Sequence, residues 1–234
     1  MKAIATLFFA AALMISVRAQ DAPSATTNET ENATAAKKPD IKELVNEASF
    51  TNASGMLMVK ISPNLWVGKY EVTQEEYQKV TGGNPSRTQG PRNPVDSVSW
   101  NDARAFCAKL DDAEKVEEML PEGFAYTLPT QAQWEALVAG AQLKDAVTSE
   151  KNSRAGTAPV GSLAENSLGL CDVRGNVWEF CLDPKDKPYR VLRGGGWNTW
   201  YEPNLRLEFR WYASGPDDRK DNFGFRCILA PAGR

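Results

Sequence analysis

The side chains that most often perform catalysis are unevenly represented in this sequence. It contains no histidine, four cysteines and 30 acidic residues. Without histidine the chain lacks the commonest general base and the Ser-His and Cys-His nucleophile pairs. Hydrolysis by two carboxylic acids needs a pair at a defined separation, and the sequence alone places no such pair. The sequence therefore excludes the histidine-based centres, while hydrolysis by two acids is conceivable and has no support in it.

Three phrases in the last third of the chain combine glycine, a bulky aromatic residue and a charged or amide group. Glycine permits unusual backbone angles and close approach of neighbouring chains. Such phrases predict tightly packed, loop-rich structure. They are Gly175–Phe180 (GNVWEF), Arg193–Asn198 (RGGGWN) and Asn222–Cys227 (NFGFRC).

Three further phrases precede these along the chain: Trp66–Thr73 (WVGKYEVT), Pro94–Ala103 (PVDSVSWNDA) and Tyr126–Glu135 (YTLPTQAQWE). In this order, the six phrases resemble the sulfatase-modifying-factor domain, the family of the formylglycine-generating enzymes. The match covers roughly residues 55–230. The resemblance implies a C-type-lectin-like α+β fold, rich in loops and with few regular elements.

Enzymes of this family oxidise a substrate cysteine to formylglycine, with oxygen and a copper ion held by two thiolates. The matching positions here are Thr199 and Asn204, and the serine that precedes the thiolates in the family falls on Gly196. No cysteine occurs from Leu182 to Arg226. Hydroxyl and amide oxygens are hard, neutral ligands that cannot replace thiolates around copper(I). We therefore expect no copper, no catalytic residues of the family type and no formylglycine formation.

The resemblance also implies expectations about two other metals, iron and calcium. One enzymatic branch of the wider family binds iron through histidines, and a chain without histidine is not expected to bind iron in that way. The family also binds calcium on its Gly-Asn-x-Trp-Glu loop through backbone carbonyls and the glutamate. The matching positions are Arg174, Gly175, Val177 and Glu179, and a glutamate oxygen suits calcium. The alternative is that Glu179 only accepts hydrogen bonds from loop amides.

Aromatic and arginine residues crowd the segment where the family's active-site groove lies, as they do on recognition surfaces. We expect Trp197 and Trp211 to be core residues. Trp200 and Tyr201 follow a glycine run, which indicates an irregular loop, and with Arg206 they are the predicted ligand-binding residues. The ligand would be a protein or a glycan.

The first residues read as an export signal. Lys2 precedes an apolar run from Ala3 to Val17, and small residues at Val17 and Ala19 suit cleavage after Ala19. A membrane anchor is the alternative, but the run is shorter than the roughly 20 residues that span a bilayer. We predict a signal peptide over residues 1–19, a disordered tether over 20–50 and one domain over 51–234, in a periplasmic or secreted protein without a transmembrane span.

Export bears on the cysteines, since four in an exported chain suggest two disulfides. Four cysteines allow three pairings. The resemblance implies a bond between Cys107 and Cys227. Cys171 and Cys181 would then remain to staple the loop that they flank.

Two helices that would position these residues are well signalled. Thr73 and Glu76 form a capping box, and Ser99 and Asp102 form another before Ala103, Phe106, Cys107 and Leu110 at helical spacing. A third, weaker start lies at Thr130. The charged run Asp111–Glu118 is interpreted as a solvated helix face or loop. Strands are predicted over Leu65–Tyr70, Val191–Arg193 and Phe225–Leu229.

The net charge is −3 and basic clusters are absent, which argues against nucleic acid as a partner. Together these features predict an exported, non-catalytic binding or structural module. The alternative is an enzyme of the same family that uses unfamiliar chemistry at the same groove.

Overall fold

The computed structural model describes residues 47–148, 155–182 and 187–233. The predicted signal peptide, residues 1–19, lies outside these ranges, as does most of the predicted tether. The first strand, β1, spans Ser49–Thr51 and therefore begins inside that tether. Phe50 is buried and its ring meets Trp66 edge-on at a centroid distance of 6.5 Å. Because Phe50 packs in the core, the domain begins before the predicted boundary at residue 51.

Three α-helices begin at the three predicted start signals, and each carries a complete capping box. The helices are α1 (Gln74–Thr81), α2 (Trp100–Val116) and α3 (Gln131–Leu137). The face of α2 that the spacing predicts to be apolar is buried in full. Here sequence and structure agree because capping is a local interaction.

The charged run Asp111–Glu118 is largely a solvated helix face, as interpreted, with one exception. Glu114 has no solvent exposure. Its Oε1 accepts a hydrogen bond of 2.7 Å from the amide of Ala53, and its Oε2 has no partner. Burial raises the pKa of Glu114 to about 7, against the effect of the Ala53 hydrogen bond. Glu114 thus fixes the turn after β1 to the helix.

In the described ranges, nine short strands form two sheets. After β1, the strands are β2 (Leu57–Ser62), β3 (Leu65–Gly68), β4 (Phe124–Thr127), β5 (Trp178–Phe180), β6 (Arg190–Arg193), β7 (Trp211–Ala213), β8 (Phe223–Gly224) and β9 (Ile228–Pro231). The first sheet has the order β1-β2-β3-β9-β4 and is antiparallel throughout; the second has the order β7-β6-β5-β8, with β5 and β8 parallel. Short 3₁₀ helices occupy Leu143–Asp145 and Glu202–Leu205.

The main core joins α1 and α2 to both sheets. Phe106 of α2 stacks on Tyr77 of α1 at 5.5 Å and meets Phe225 edge-on at 5.3 Å. Phe225 lies between β8 and β9, so the strand predicted over Phe225–Leu229 begins only at Ile228, the first residue of β9. Within the described ranges, no helix has both the length and the apolar character needed to cross a bilayer.

Candidate functional site

A groove of about 400 Å³ lies at the end of the second sheet where β5, β7 and β8 each begin. The first residues of these strands, Trp178, Trp211 and Phe223, all line it. The loop after β6 supplies a second wall. The remaining lining residues are Asn198, Thr199, Trp200, Asn204, Lys220, Asp221 and Asn222.

Two glycines let the loop after β6 fold against the sheet. Gly195 has φ +87°, and a Cβ there would lie 2.2 Å from Cδ2 of Leu205. At Gly196 a Cβ would lie 3.1 Å from Cδ1 of Trp178 and 3.2 Å from Cβ of Asn222. The absence of side chains therefore brings the backbone onto the floor of the groove.

Thr199 and Asn204, the residues at the family's two cysteine positions, both line this groove. Thr199 is buried, and its Oγ1 accepts a 3.0 Å hydrogen bond from the amide of Gly196. The hydroxyl of Thr199 thus closes the turn, and the groove is lined by amide and hydroxyl groups where the family has thiolates.

The predicted ligand-binding residues behave differently from one another. Trp200 lines the groove and is 75% exposed. Tyr201 is exposed beside it, with ring centroids 5.6 Å apart, and Arg206 is exposed but does not line the groove. Trp211, which was predicted to be core, is 38% exposed. That prediction is wrong because β7 is an edge strand and its first residue faces the groove.

The exposed aromatic residues lie close together in the sequence, and two of them line the groove. Among the described residues, five large apolar side chains are exposed, and four of them are aromatic residues of the segment 200–212. These are Trp200, Tyr201, Trp211 and Tyr212. Trp200 and Trp211 thus expose apolar surface in one groove, and exposed apolar surface of this kind marks an interaction site more often than scattered exposure does.

The polar groups of the groove carry one uncompensated positive charge. The ammonium of Lys220 lies 5.5 Å from the ring centre of Trp211 and 5.3 Å from that of Phe223. The carboxylate of Asp221 pairs with Arg87. Asn222 donates a 2.8 Å hydrogen bond from Nδ2 to Asn198, while its buried Oδ1 has no partner.

The Gly-Asn-x-Trp-Glu loop is held by a buried ion pair. Nη2 of Arg226 lies 2.9 Å from Oε1 of Glu179, and neither side chain is more than 1% exposed. Nε1 of Trp134 donates a 2.9 Å hydrogen bond to Oε2 of the same carboxylate. Burial lowers the pKa of the Arg226 guanidinium, but the attraction of Glu179 outweighs it, and the net pKa is raised.

A second buried carboxylate receives the loop amides. Glu71 accepts 3.0 Å and 2.7 Å hydrogen bonds from the amide of Val177 and from Nδ2 of Asn176. Burial, followed by repulsion from Asp172 and Glu179, raises the pKa of Glu71 well above its ordinary value. One interpretation of the sequence was that Glu179 accepts hydrogen bonds from the loop amides. In the structure Glu71 accepts them instead.

This geometry does not fit Glu179 as a calcium ligand. Both of its carboxylate oxygens already face the donors of Arg226 and Trp134. A divalent cation at this carboxylate would stand beside a buried guanidinium of the same sign. The other predicted ligands are the backbone carbonyls of Arg174, Gly175 and Val177, and the calcium site on this loop stays a prediction. The described residues contain no cluster of three or more His, Cys, Asp or Glu side chains suited to a metal.

All four cysteines are buried, and the structure holds them as thiols. The sulfur atoms of Cys107 and Cys227 are 3.6 Å apart, which is contact rather than a covalent bond. Burial, reinforced by Cys107, raises the pKa of the Cys227 thiol well above its ordinary value. The bond between Cys107 and Cys227 stays a prediction, as does the pairing of Cys171 with Cys181.

Sequence reasoning missed Lys220 and Asn222 in the groove and the role of Glu71 at the Gly-Asn-x-Trp-Glu loop. Asn222 and Glu71 lie inside phrases that carried the resemblance, so their positions were flagged without a role. Lys220 lies in no phrase and forms no motif. Its place on the groove arises from the pairing of β5 with β8, which no local pattern encodes.

The chain is similar to several known proteins. The family model described as sulfatase-modifying factor enzyme 1-like domain matches residues 43–231. The chaperone protein LppX of Paenibacillus barcinonensis is 28% identical, over 57% of this chain and 69% of that protein. The inactive C-alpha-formylglycine-generating enzyme 2 of Bos taurus is 32% identical, over 60% of this chain and 51% of that protein. This chain thus spans about half the length of the bovine relative.

Solved structures agree on the fold. Treponema denticola variable protein 1 has a TM-score of 0.62 at 26% identity, over 71% of this chain and 84% of that one. PvdO from Pseudomonas aeruginosa has a TM-score of 0.64 at 22% identity, over 83% of this chain and 100% of that one. The C-type-lectin-like α+β fold expected from the six phrases is confirmed. Since the family model covers most of its length, the chain belongs to the sulfatase-modifying-factor family, that of the formylglycine-generating enzymes.

Proposed function

We propose that this chain is an exported, non-catalytic module that binds a ligand in the groove beside β7. The observation that carries the proposal is the presence of Thr199 and Asn204 on the groove wall. A threonine hydroxyl and an asparagine amide cannot hold copper(I) as two thiolates do. A groove of about 400 Å³ remains at these positions and has room for a ligand.

The exposed aromatic residues support binding as the role that remains. Trp200 and Trp211 present rings to water at the groove, although each would be better shielded in a core. Trp and Tyr dominate the residues that contribute most to binding at recognition surfaces. Two relatives point the same way, since one is named as inactive and another as a chaperone. Export rests on the apolar run after Lys2.

The first test asks whether oxidation occurs. The protein, loaded with copper under reducing conditions, is incubated in air with a cysteine-containing sulfatase peptide, and aldehyde is detected with a hydrazide probe and mass spectrometry. We expect the cysteine to remain unchanged. Formation of formylglycine would refute the non-catalytic assignment and restore the enzyme.

The second test asks whether the groove binds. Labelled protein is applied to arrays of oligosaccharides and peptides, beside a variant in which Trp200 and Tyr201 are both changed to Ala. We expect the variant to lose roughly 2 kcal/mol or more of binding free energy with folding intact. Val116→Ala, which removes exposed apolar surface outside the groove, is the control. A ligand that binds both variants equally well would place the binding site elsewhere.

A further inference from the structure

The groove combines flat aromatic faces with neutral amides, and this combination narrows the class of ligand. Trp200 and Trp211 both line it and keep 75% and 38% of their surface in water. The face of an indole ring is electron-rich and attracts weakly positive C–H groups. A sugar ring offers such groups over one flat side. The two indoles are therefore suited to stack against sugar rings.

The amides match the hydroxyl groups of such a ring. Asn198, Asn204 and Asn222 line the groove, and each side-chain amide offers both donors and an acceptor. Within the protein, one bond links two of them, from Nδ2 of Asn222 to Oδ1 of Asn198. Oδ1 of Asn222, a residue only 8% exposed, is left without a partner. A buried acceptor of this kind is costly unless something donates to it, and a ligand hydroxyl can.

Lys220 adds a positive charge to the groove, which favours saccharides that carry a negative charge. Its ammonium is held near the rings of Trp211 and Phe223, and no carboxylate among the described residues pairs with it. The nearest acidic residue in sequence, Asp221, pairs with Arg87 instead. We propose that the groove binds a saccharide that carries a carboxylate, with the carboxylate on Lys220 and the sugar face on Trp200 and Trp211. This proposal rests on the proposed function, since it names the ligand of the same groove.

A protein ligand fits this lining less well. The cores of protein interfaces are depleted in Lys and Asp, and this groove has Lys220 and Asp221 among its ten lining residues. Its volume of about 400 Å³ lies in the range of small-molecule sites. A short acidic oligosaccharide would use the indoles, the amides and the ammonium together.

The experiment compares matched ligands and matched variants. Oligosaccharides that bear uronic or sialic acids are titrated beside their carboxyl-reduced counterparts and beside acidic peptides, with tryptophan fluorescence as the readout. Lys220→Met removes the ammonium, and Lys220→Arg keeps the charge. Lys144→Met, at an exposed position outside the groove, is the control. Melting temperatures establish that each variant is folded.

We expect carboxyl reduction of the ligand to weaken binding at least tenfold. Lys220→Met should cause the same loss with the acidic ligand and no further loss with the reduced one, because the two changes remove one interaction. Lys220→Arg and Lys144→Met should bind within about threefold of the parent, a small step on the affinity scale.

Failure of this inference is separable from failure of the proposed function. Binding of a neutral saccharide or of a peptide that depends on Trp200 would overturn the inference that the ligand is an acidic saccharide. It would leave the proposed function as a binding module intact. Absence of binding to every acidic saccharide would also overturn it. Binding that is unchanged in Lys220→Met would remove Lys220 from the site. Only formylglycine formation, measured independently, would overturn the non-catalytic assignment.

Discussion

The guanidinium of Arg226 lies 2.9 Å from the carboxylate of Glu179, and the pair is sealed from solvent. Arg226 also donates to the backbone carbonyls of Gly68, Lys69 and Cys171. One side chain thereby ties the end of β3 and the chain before the Gly-Asn-x-Trp-Glu loop to β5. The charged residues of two phrases that carried the resemblance thus hold the fold together and leave the groove to other residues.

Arg226→Met should destabilise the protein strongly, because it leaves the Glu179 carboxylate buried without its partner. Breaking one side of a buried pair typically costs about 3–5 kcal/mol. The double variant Glu179→Gln, Arg226→Met should be less destabilised than Arg226→Met alone, since no unpaired charge remains. Urea unfolding of the parent, Glu179→Gln, Arg226→Met and the double variant measures this. A double variant as unstable as the sum of the single ones would show that the pair has no coupling.

Added calcium should leave the melting temperature of the protein unchanged. The oxygens of the Glu179 carboxylate, the predicted ligand, already accept hydrogen bonds from Arg226 and Trp134. A cation that binds only the folded state raises the melting temperature. Scans with added calcium and with chelator measure the response. A rise with calcium that Glu179→Gln abolishes would establish the calcium site that the resemblance implies at this loop.

Glu114 should make the protein less stable as the pH rises from about 4.5 to about 7. Burial raises the pKa of this carboxyl to about 7 in the folded protein, from an ordinary value of 4.5. Its contribution to stability is thus fully present below about 4.5 and is lost as the pH rises through the folded pKa. Exposed Glu117 and half-buried Asp111 act in the same direction, and Lys79 opposes them.

The measurement is urea unfolding at several pH values with Glu114→Gln beside the parent protein. The glutamine can still accept from the Ala53 amide and is neutral, so the variant should gain on the parent as the pH rises across this window. Glu118→Gln, an exposed position just beyond the helix, should leave the pH profile unchanged. Parallel profiles for the parent and Glu114→Gln would contradict the raised pKa.

Cys107 and Cys227 should be linked in protein isolated from an oxidising compartment, since their sulfur atoms are already 3.6 Å apart and screened from other thiols. The bond would close a loop of 120 residues and contribute up to roughly 4–5 kcal/mol in the chain-entropy model. Non-reducing peptide mapping identifies it and shows whether Cys171 is joined to Cys181. Recovery of Cys107 and Cys227 as free thiols from such protein would refute the pairing.

The helices could be predicted from the sequence because their signals are local. Thr73 and Ser99 cap through residues three positions later, and the structure has both boxes complete. The strands were harder to predict, since β1, β5 and β7 are each three residues long, which is too short for an alternating pattern to be recognised. A strand was predicted over Phe225–Leu229, whereas β9 begins only at Ile228, after the chain has passed from β8 in the other sheet.

The site could be predicted only where a phrase marked it. Thr199, Asn204 and Trp200 follow the glycine run at fixed distances, and all three line the groove. The exposure of Trp211 depends on which strand forms the sheet edge, and the position of Lys220 depends on strand pairing between distant segments. Neither property is encoded within a short window of sequence.

Gly195→Ala should distort the groove, because the backbone there has φ +87° and a Cβ would strike Leu205. Leu205 closes the 3₁₀ helix Glu202–Leu205, so its displacement would move the neighbouring Asn204 on the groove wall. We expect a loss of about 1–3 kcal/mol in unfolding free energy from the strained backbone, and a changed near-ultraviolet circular dichroism from the surrounding tryptophans. Gly83→Ala is the matched control, since a Cβ at Gly83 meets nothing within 4 Å and its φ is not positive. Equal stability and equal spectra for the two variants would show that the loop after β6 tolerates a side chain at Gly195, and that the groove wall is set by other contacts.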